Sequence, residues 1–436
     1  MLWKHPDHPG REVHLAYCLN LHAAEEFDEL LEGMREVTVP LKERLAEGRP
    51  FGVGMYLAAP LASELVGPRG RAKLEQLIEF LRANQLDPFT YNAFPQGGFH
   101  SESLKERVFE PTWKNQARLD YTLDVARLAT LIAKDLGREG TISISTHTGM
   151  FGSNLDEEDD LYLCALNFVR AARVLGRTES SGGPRIILSL EPEPRASAGD
   201  TAAVRIFLEQ VFQWGSEVMN GDGVWSTERA TEHLQRYLGV CFDCCHSAVE
   251  FESANLSLRE ATAAGNSIGK LQFSNALRLV DPMNNERGRK SLFALDEPRY
   301  LHQVTGASDP HDPNEARSKV RDLPELRDLL SSDERERADW EACTEWRCHF
   351  HVPVDLADLG EESGLLTTRT QSDRLLDLAL SAPTLWNNPE LHLEIETYTW
   401  DVLPGAARGS GDLVDGLERE YRHTIERLES AGWQRA

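Results

Sequence analysis

At 436 residues, with 41% hydrophobic and 27% charged side chains, the chain can bury a large core and has the composition of an ordinary globular protein. A formal net charge of −25 argues against nucleic acid as a partner, because such binders need basic groups to neutralise phosphates. The seven cysteines are an odd number, and three of them crowd at Cys241, Cys244 and Cys245; this is not a disulfide framework and fits reduced thiols.

The first residues, MLWKHPDHPGREVHLAYC, hold no apolar signal core, and no stretch reaches the apolar length needed for direct membrane insertion. The expected location is cytoplasmic.

In chain order, residues 13–22 (VHLAYCLNLH) read as a first strand, followed by a helical pattern with Phe27, Leu30, Leu31 and Met34 on one face. Residues 51–59 (FGVGMYLAA) form the second strand, and the next amphipathic run carries Leu74, Leu77, Ile78 and Leu81. Strand three is 88–95 (PFTYNAFP), then comes RLDYTLDVARLATLIAKDLG, and strand four is 141–148 (TISISTHT). Strand five is 185–194 (RIILSLEPEP), followed by TAAVRIFLEQVFQWGSEV; strand six is 238–247 (LGVCFDCCHS), strand seven 268–277 (IGKLQFSNAL) and strand eight 391–399 (LHLEIETYT). Most strands are apolar on both faces, as parallel strands covered by helices must be. Eight such alternations predict an α/β fold, a closed (β/α)8 TIM barrel.

From 278 to 345 the rhythm breaks into charged, proline-rich sequence with two strand-like pieces, RYLHQVT and WRCHFHVPV. The expected organisation is one barrel domain over 1–436 with a 278–345 insertion between strands seven and eight; long structured excursions of this kind are often functional. A last amphipathic helix, LVDGLEREYRHTIERLES, closes the chain.

Catalytic groups of such barrels sit at the C-terminal ends of the strands. There the sequence puts Asn20 and His22, Asn92, His147, Glu191 and Glu193, Asp243 and His246, Gln272 and Asn275, and Glu394 and Glu396, while the insertion adds His302, His349 and His351. Charged groups converging on a barrel mouth are costly unless paired or bound to a cation, so a divalent metal is the economical reading. Mixed carboxylate, imidazole and amide donors suit Mn, Mg, Zn or Fe. Plainer readings stand beside it. Asp243 could cap the next helix above an ordinary buried His246, and Glu193 could be a surface carboxylate. His349 and His351 share one side of an extended run, as a chelating pair or as two structural histidines. A Cys241–Cys244 redox pair is disfavoured because a strand does not put i and i+3 on one face. Glu250 and Glu252 read as a solvated helix start.

The L-E-P-x-P end of strand five, the D-x-x-H of strand six, the amide of strand seven and the glutamate of strand eight resemble the xylose-isomerase-like barrel superfamily of sugar isomerases, epimerases and endonuclease-IV-type nucleases. That resemblance implies Glu191, Asp243, Gln272 and a strand-eight glutamate as metal ligands, with His246 a ligand or substrate contact and His349 and His351 a second ligand pair. Of the two strand-eight glutamates, Glu396 is the expected ligand because it lies nearer the rim than Glu394. Where sugar isomerases carry a catalytic lysine in E-P-K-P, this chain has Glu193, which cannot stabilise a developing oxyanion as a lysine does; proton abstraction or hydrolysis remains open. The segments YCLNLH, FTYNAFPQGGFH, LSLEPEP, GVCFDCCHSAVEFE, CHFHVPV and LHLEIETYTWDVLP make the chain similar to the EboE family of metabolite-traffic proteins.

The resulting expectation is a metal-dependent isomerase/epimerase- or hydrolase-like enzyme of secondary metabolism, acting on a small-molecule metabolite precursor alongside other proteins of the same gene cluster. Glu193, His246 and His349 are its candidate proton carriers. A non-catalytic metabolite carrier is the alternative.

Overall fold

The computed structural model describes residues 1–22, 24–97, 104–152, 158–221, 223, 225–332, 334–405 and 411–436. Residues 98–100 of the FTYNAFPQGGFH segment lie outside these.

Eight parallel strands form the centre: β1 (Glu12–Tyr17), β2 (Phe51–Tyr56), β3 (Leu86–Asn92), β4 (Ile142–His147), β5 (Ile186–Glu191), β6 (Leu238–Asp243), β7 (Ser267–Phe273) and β8 (Glu390–Ile395). Each pairs in parallel with the next from β2 round to β8, and β8 pairs with β1. A parallel bridge between Cys18 and Gly54 closes the ring. Among the described residues only this bridge joins β1 to β2, because the short strand Leu2–Lys4 occupies the lower edge of β1, pairing antiparallel at Leu2–His14, Trp3–Val13 and Lys4–Glu12.

Nearly every strand residue is buried, since side chains pointing inward fill the barrel and those pointing outward meet helices. Gln116–Leu136, Glu158–Ser180, Thr201–Gly221, Ala254–Thr262 and Arg369–Ser381 are among those helices, and Leu413–Ser430 follows β8. Among the described residues, no helix is long and apolar enough to cross a membrane.

The seventh predicted strand is in fact two. β7 stops at Phe273, and after Ser274 the chain starts a separate strand, Asn275–Val280. This strand belongs to a five-stranded antiparallel sheet ordered Ser318–Val320, Val304–Ala307, Glu345–Val352, Asn275–Val280 and Leu366–Thr367. The sheet thus reaches past both limits of the 278–345 segment marked by composition, because its flanking strands are as apolar as those of the barrel. It has its own core of Leu277, Leu279, Val304, Trp340, Trp346 and Val352, so the excursion is a packed layer over the barrel mouth.

Candidate metal centre

The β5 strand ends at Glu191 because Pro192 and Pro194 cannot donate to a ladder, and the loop that follows carries Glu193 inward. Glu193 is only 6% exposed, which removes the surface reading of this residue. At the end of β6, Asp243 begins the helix Cys244–Val249, and its Oδ1 accepts from the His246 backbone N–H at 2.7 Å. The capping role is therefore real, and it does not exclude the other: Oδ2 has no hydrogen-bond partner among the described residues. One helical turn places His246 over the barrel axis.

The long strand of the insertion, Glu345–Val352, lays His349 and His351 on the face that meets His246, with Phe350 on the opposite face. The Nε2 atom of His246 is 3.2 Å from Nε2 of His349 and 3.2 Å from Nε2 of His351. Each ring has its other nitrogen engaged. His246 Nδ1 donates to the Pro192 carbonyl at 2.8 Å, His351 Nδ1 to the Glu396 carbonyl at 3.0 Å, and His349 Nδ1 to Gln303 Oε1 at 2.5 Å. A neutral imidazole with Nδ1–H has its lone pair on Nε2, so His349 and His351 both turn lone pairs toward Nε2 of His246.

Carboxylates flank the His246 ring on both its nitrogens. Glu193 Oε2 is 3.2 Å from His246 Nε2, and Glu191 Oε1 is 3.8 Å from His246 Nδ1. Glu191, Asp243 and Glu396 offer oxygens within 4.8 Å of one another, as do the ligand atoms of Asp243, His246 and His351 and those of Glu193, His246 and His349. Asn20 and Asn92 each donate to Glu396 Oε1, at 2.7 and 3.2 Å, which fixes that carboxylate. Gln272 stands at the same level of the barrel but turns its Oε1 to the Cys241 thiol, which donates at 2.9 Å.

Glu394, one pleat below Glu396, is taken up by Lys270, whose Nζ is 2.6 Å away with both side chains fully buried. A β-carbon at position 54 would fall on the Glu394 carboxylate, so glycine is required on β2 there.

The protonation pattern follows from burial. It lifts Glu191 to about 8, against the pull of His246 and with Asp243 adding to the rise. Burial also raises Glu193, and raises Glu396 well above the carboxylate range with Glu191 reinforcing the effect. Burial lowers His349 far below its ordinary value and His351 to about 4. His246 is also buried, but Asp243, Glu193 and Glu191 outweigh that and lift it to about 9. The proton on His246 Nε2 thus sits between two bare imidazole nitrogens and a carboxylate oxygen, the place a cation would take. The residues fit such an ion: three oriented imidazoles, several buried carboxylates, and unpartnered Glu191 Oε2 and Asp243 Oδ2 atoms.

Other rim residues predicted from the sequence go elsewhere. His302 donates from Nδ1 to the His349 carbonyl, approaches Glu297 Oε1 at 3.1 Å and stacks on Phe350. His147 faces the rings of Phe94 and Phe109. His22 pairs with the Tyr17 hydroxyl, and Asn275 donates to the Pro353 carbonyl. The pair Glu250 and Glu252 is no solvated helix start: Glu250 is buried in ion pairs with Arg195 and with Lys319 of the insertion, and Glu252 accepts from Thr201 N–H at 2.9 Å. All seven cysteines are free and buried, and burial raises the Cys241 and Cys244 thiols well above their ordinary range, which suits packing and not redox exchange.

Sequence reading missed Lys270, Gln303 and Tyr398. A lone lysine inside the apolar IGKLQF run was a usable signal for the first. Gln303 and Tyr398 gave none, since their importance comes from contacts to His349 that only the folded chain makes.

Above the cluster lies a recess with a cavity volume of about 60 Å³. Phe94, Val108, Phe109 and Leu301 form an apolar wall, and the cluster forms its floor.

No family model matches the chain, and neither does any curated protein, so the EboE resemblance finds no support there. Among solved structures it is similar to an N-terminally His-tagged D-allulose 3-epimerase from Methylomonas sp. in complex with D-allulose, with a TM-score of 0.35 and 10% identity over 63% of this chain and 75% of that one. It is also similar to a xylose isomerase-like TIM barrel/4-hydroxyphenylpyruvate dioxygenase fusion protein, with a TM-score of 0.38 and 12% identity over 96% of this chain. The match spans 44% of that fusion protein's length. At these scores the barrel assignment stands on the strand pairing itself.

Proposed function

We propose that the chain is a divalent-metal-dependent barrel enzyme of isomerase, epimerase or hydrolase type, acting on a small metabolite precursor. The observation that carries this reading is the meeting of the Nε2 atoms of His349 and His351 with that of His246, against buried carboxylates at the floor of a recess. His246, His349, His351, Glu191, Asp243 and Glu396 would hold the ion, and the mixed nitrogen and oxygen set suits Mn, Zn or Fe and tolerates Mg. When bound, such an ion polarises a substrate oxygen or makes a water acidic.

The chain's own residues do the rest. Glu193 has one oxygen fixed by Gln303 and the other turned to His246, and burial raises its carboxyl, the direction that suits a group that accepts and returns a proton. Asn20 and Asn92 orient Glu396. The wall of Phe94, Phe109 and Leu301 excludes water from the reacting end of the ligand. With a glutamate at 193, proton transfer at carbon or hydrolysis suits the site better than a hydride shift assisted by lysine. A place in metabolite traffic, beside proteins of one gene cluster, rests on the sequence resemblance alone.

The test is elemental analysis of the purified protein together with mass spectrometry of co-purifying small molecules. The enzyme reading expects stoichiometric metal that is lost in a folded Glu191→Ala, Asp243→Ala double variant, along with turnover. A folded variant that binds the co-purified molecule as the wild type does, with no metal in either, would leave a carrier in its place.

A further inference from the structure

Gln303 lies just before the insertion strand Val304–Ala307, fully buried between the barrel rim and His349. Its amide touches both poles of the site. Nε2 is 2.7 Å from Glu193 Oε1 and 3.2 Å from the Pro194 carbonyl, and a carbonyl can only accept. The amide is therefore held one way round, with its oxygen facing His349 Nδ1 at 2.5 Å. A nitrogen facing an amide oxygen at that distance must carry the hydrogen. The backbone locks the same pair, since His349 N–H donates to the Gln303 carbonyl at 2.8 Å.

Nearby, Arg195 pins this part of the insertion to the barrel, donating to the Val304 and Val320 carbonyls and to Glu250 Oε1. The loop after β5 and the insertion are thus joined on both sides of Gln303.

We propose that Gln303 is the positioning residue of this site: its one-way amide fixes His349 with the Nε2 lone pair toward the ion and anchors Glu193 by Oε1, so that only Oε2 faces the cluster and Glu193 cannot approach the ion through both oxygens. The proposal rests on the metal reading above. It also gives the insertion a definite task, because Gln303, His349 and His351 all reach the site from that layer while Glu193 comes from the barrel.

Three single replacements separate the roles. Gln303→Leu keeps the bulk and removes both hydrogen bonds. Gln303→Glu keeps an acceptor for His349 but sets a carboxylate against Glu193. Glu193→Gln leaves Gln303 in place and removes the carboxylate. Full-length proteins, stripped of metal, are titrated with Co(II), with affinity and the visible absorption spectrum as readouts and the melting temperature of each metal-free form alongside.

Gln303→Leu is expected to bind Co(II) roughly 10- to 100-fold more weakly, the usual effect of removing an outer-sphere partner of a ligating histidine, and to show an altered spectrum as Glu193 turns its second oxygen inward. Gln303→Glu is expected to stay within about threefold of wild type. Gln303→Leu combined with Glu193→Gln is expected to lose the spectral change while affinity stays low. A Gln303→Leu protein with the wild-type affinity and spectrum overturns the proposal, even if its melting temperature falls. Should Gln303→Leu not fold, a tenfold loss in Gln303→Glu overturns it equally. Wild-type protein that takes up no Co(II) overturns the metal reading itself, a result distinct from either.

Discussion

His246 Nε2 lies 3.2 Å from His351 Nε2, and both rings have already given their Nδ1 hydrogen to a backbone carbonyl, of Pro192 and of Glu396. Two lone pairs cannot face each other at that distance unprotected; a proton or a cation must stand between them. In the metal-free chain His246 holds that proton, because Asp243, Glu193 and Glu191 surround it. The cluster is thus built around a positive charge at one point.

A cation that replaces this proton stabilises the folded state by mass action. Added Mn(II), Zn(II) or Co(II) should raise the melting temperature, corresponding to about 2.7 kcal/mol at a concentration a hundredfold above Kd. Glu191→Gln should abolish most of the rise while leaving the metal-free melting temperature at or above that of wild type, since it removes a buried acid. Differential scanning fluorimetry across a metal titration checks this, and an equal rise in both proteins would contradict it.

Asp243 does two jobs that can be separated. Asp243→Asn keeps an oxygen to cap the helix Cys244–Val249 but loses the anion, so the variant should fold as wild type and bind metal poorly. Asp243→Ala loses the cap as well and should cost about 1 kcal/mol more in stability. Urea unfolding of the two metal-free variants measures the difference.

The Lys270–Glu394 pair lies fully buried beneath the site, 2.6 Å apart. Lys270→Met leaves Glu394 unpaired in the barrel interior and should destabilise by about 3–5 kcal/mol. Lys270→Met together with Glu394→Gln should recover most of that loss, because two buried charges are removed together. Chemical denaturation of the single and double variants decides it; equal losses in both would mean that Lys270 serves packing alone.

Stability should also depend on pH through Glu420, on the helix Leu413–Ser430. Burial, with Asp355 nearby, raises its carboxyl from 4.5 to about 8. Because the folded-state value is the higher one, this contribution is whole below about pH 4.5 and is lost as pH rises through 8, on the order of 5 kcal/mol in all. Glu420→Gln keeps an acceptor oxygen for Val354 N–H, can donate from its amide nitrogen to the Thr397 hydroxyl, and has no proton to lose. Its melting temperature should exceed that of wild type by a margin that grows between pH 5 and pH 9, and a constant margin would refute the assignment.

The barrel was legible because its signals are local. Runs such as IILSLE and LGVCFD show burial on both faces within six residues, and the periodic helices between them show which side they cover. The prolines after Glu191 marked a strand end in the same way. The error at strand seven had a local cause too: IGKLQFSNAL is apolar throughout, and nothing in it says that the chain changes sheets at Ser274.

By itself, then, the sequence determined which segments are strands and which polar residues stand at their C-terminal ends, because period and chain direction are properties of a few consecutive residues. Only the tertiary structure decided which of those residues meet. It gave Glu396 to the cluster and Glu394 to Lys270, turned His302 away from the recess, and brought Gln303 between Glu193 and His349. It also set the ring tautomers, since each Nδ1 hydrogen is fixed by an acceptor from a distant part of the chain. Those are contacts across more than forty residues, and no local pattern encodes them.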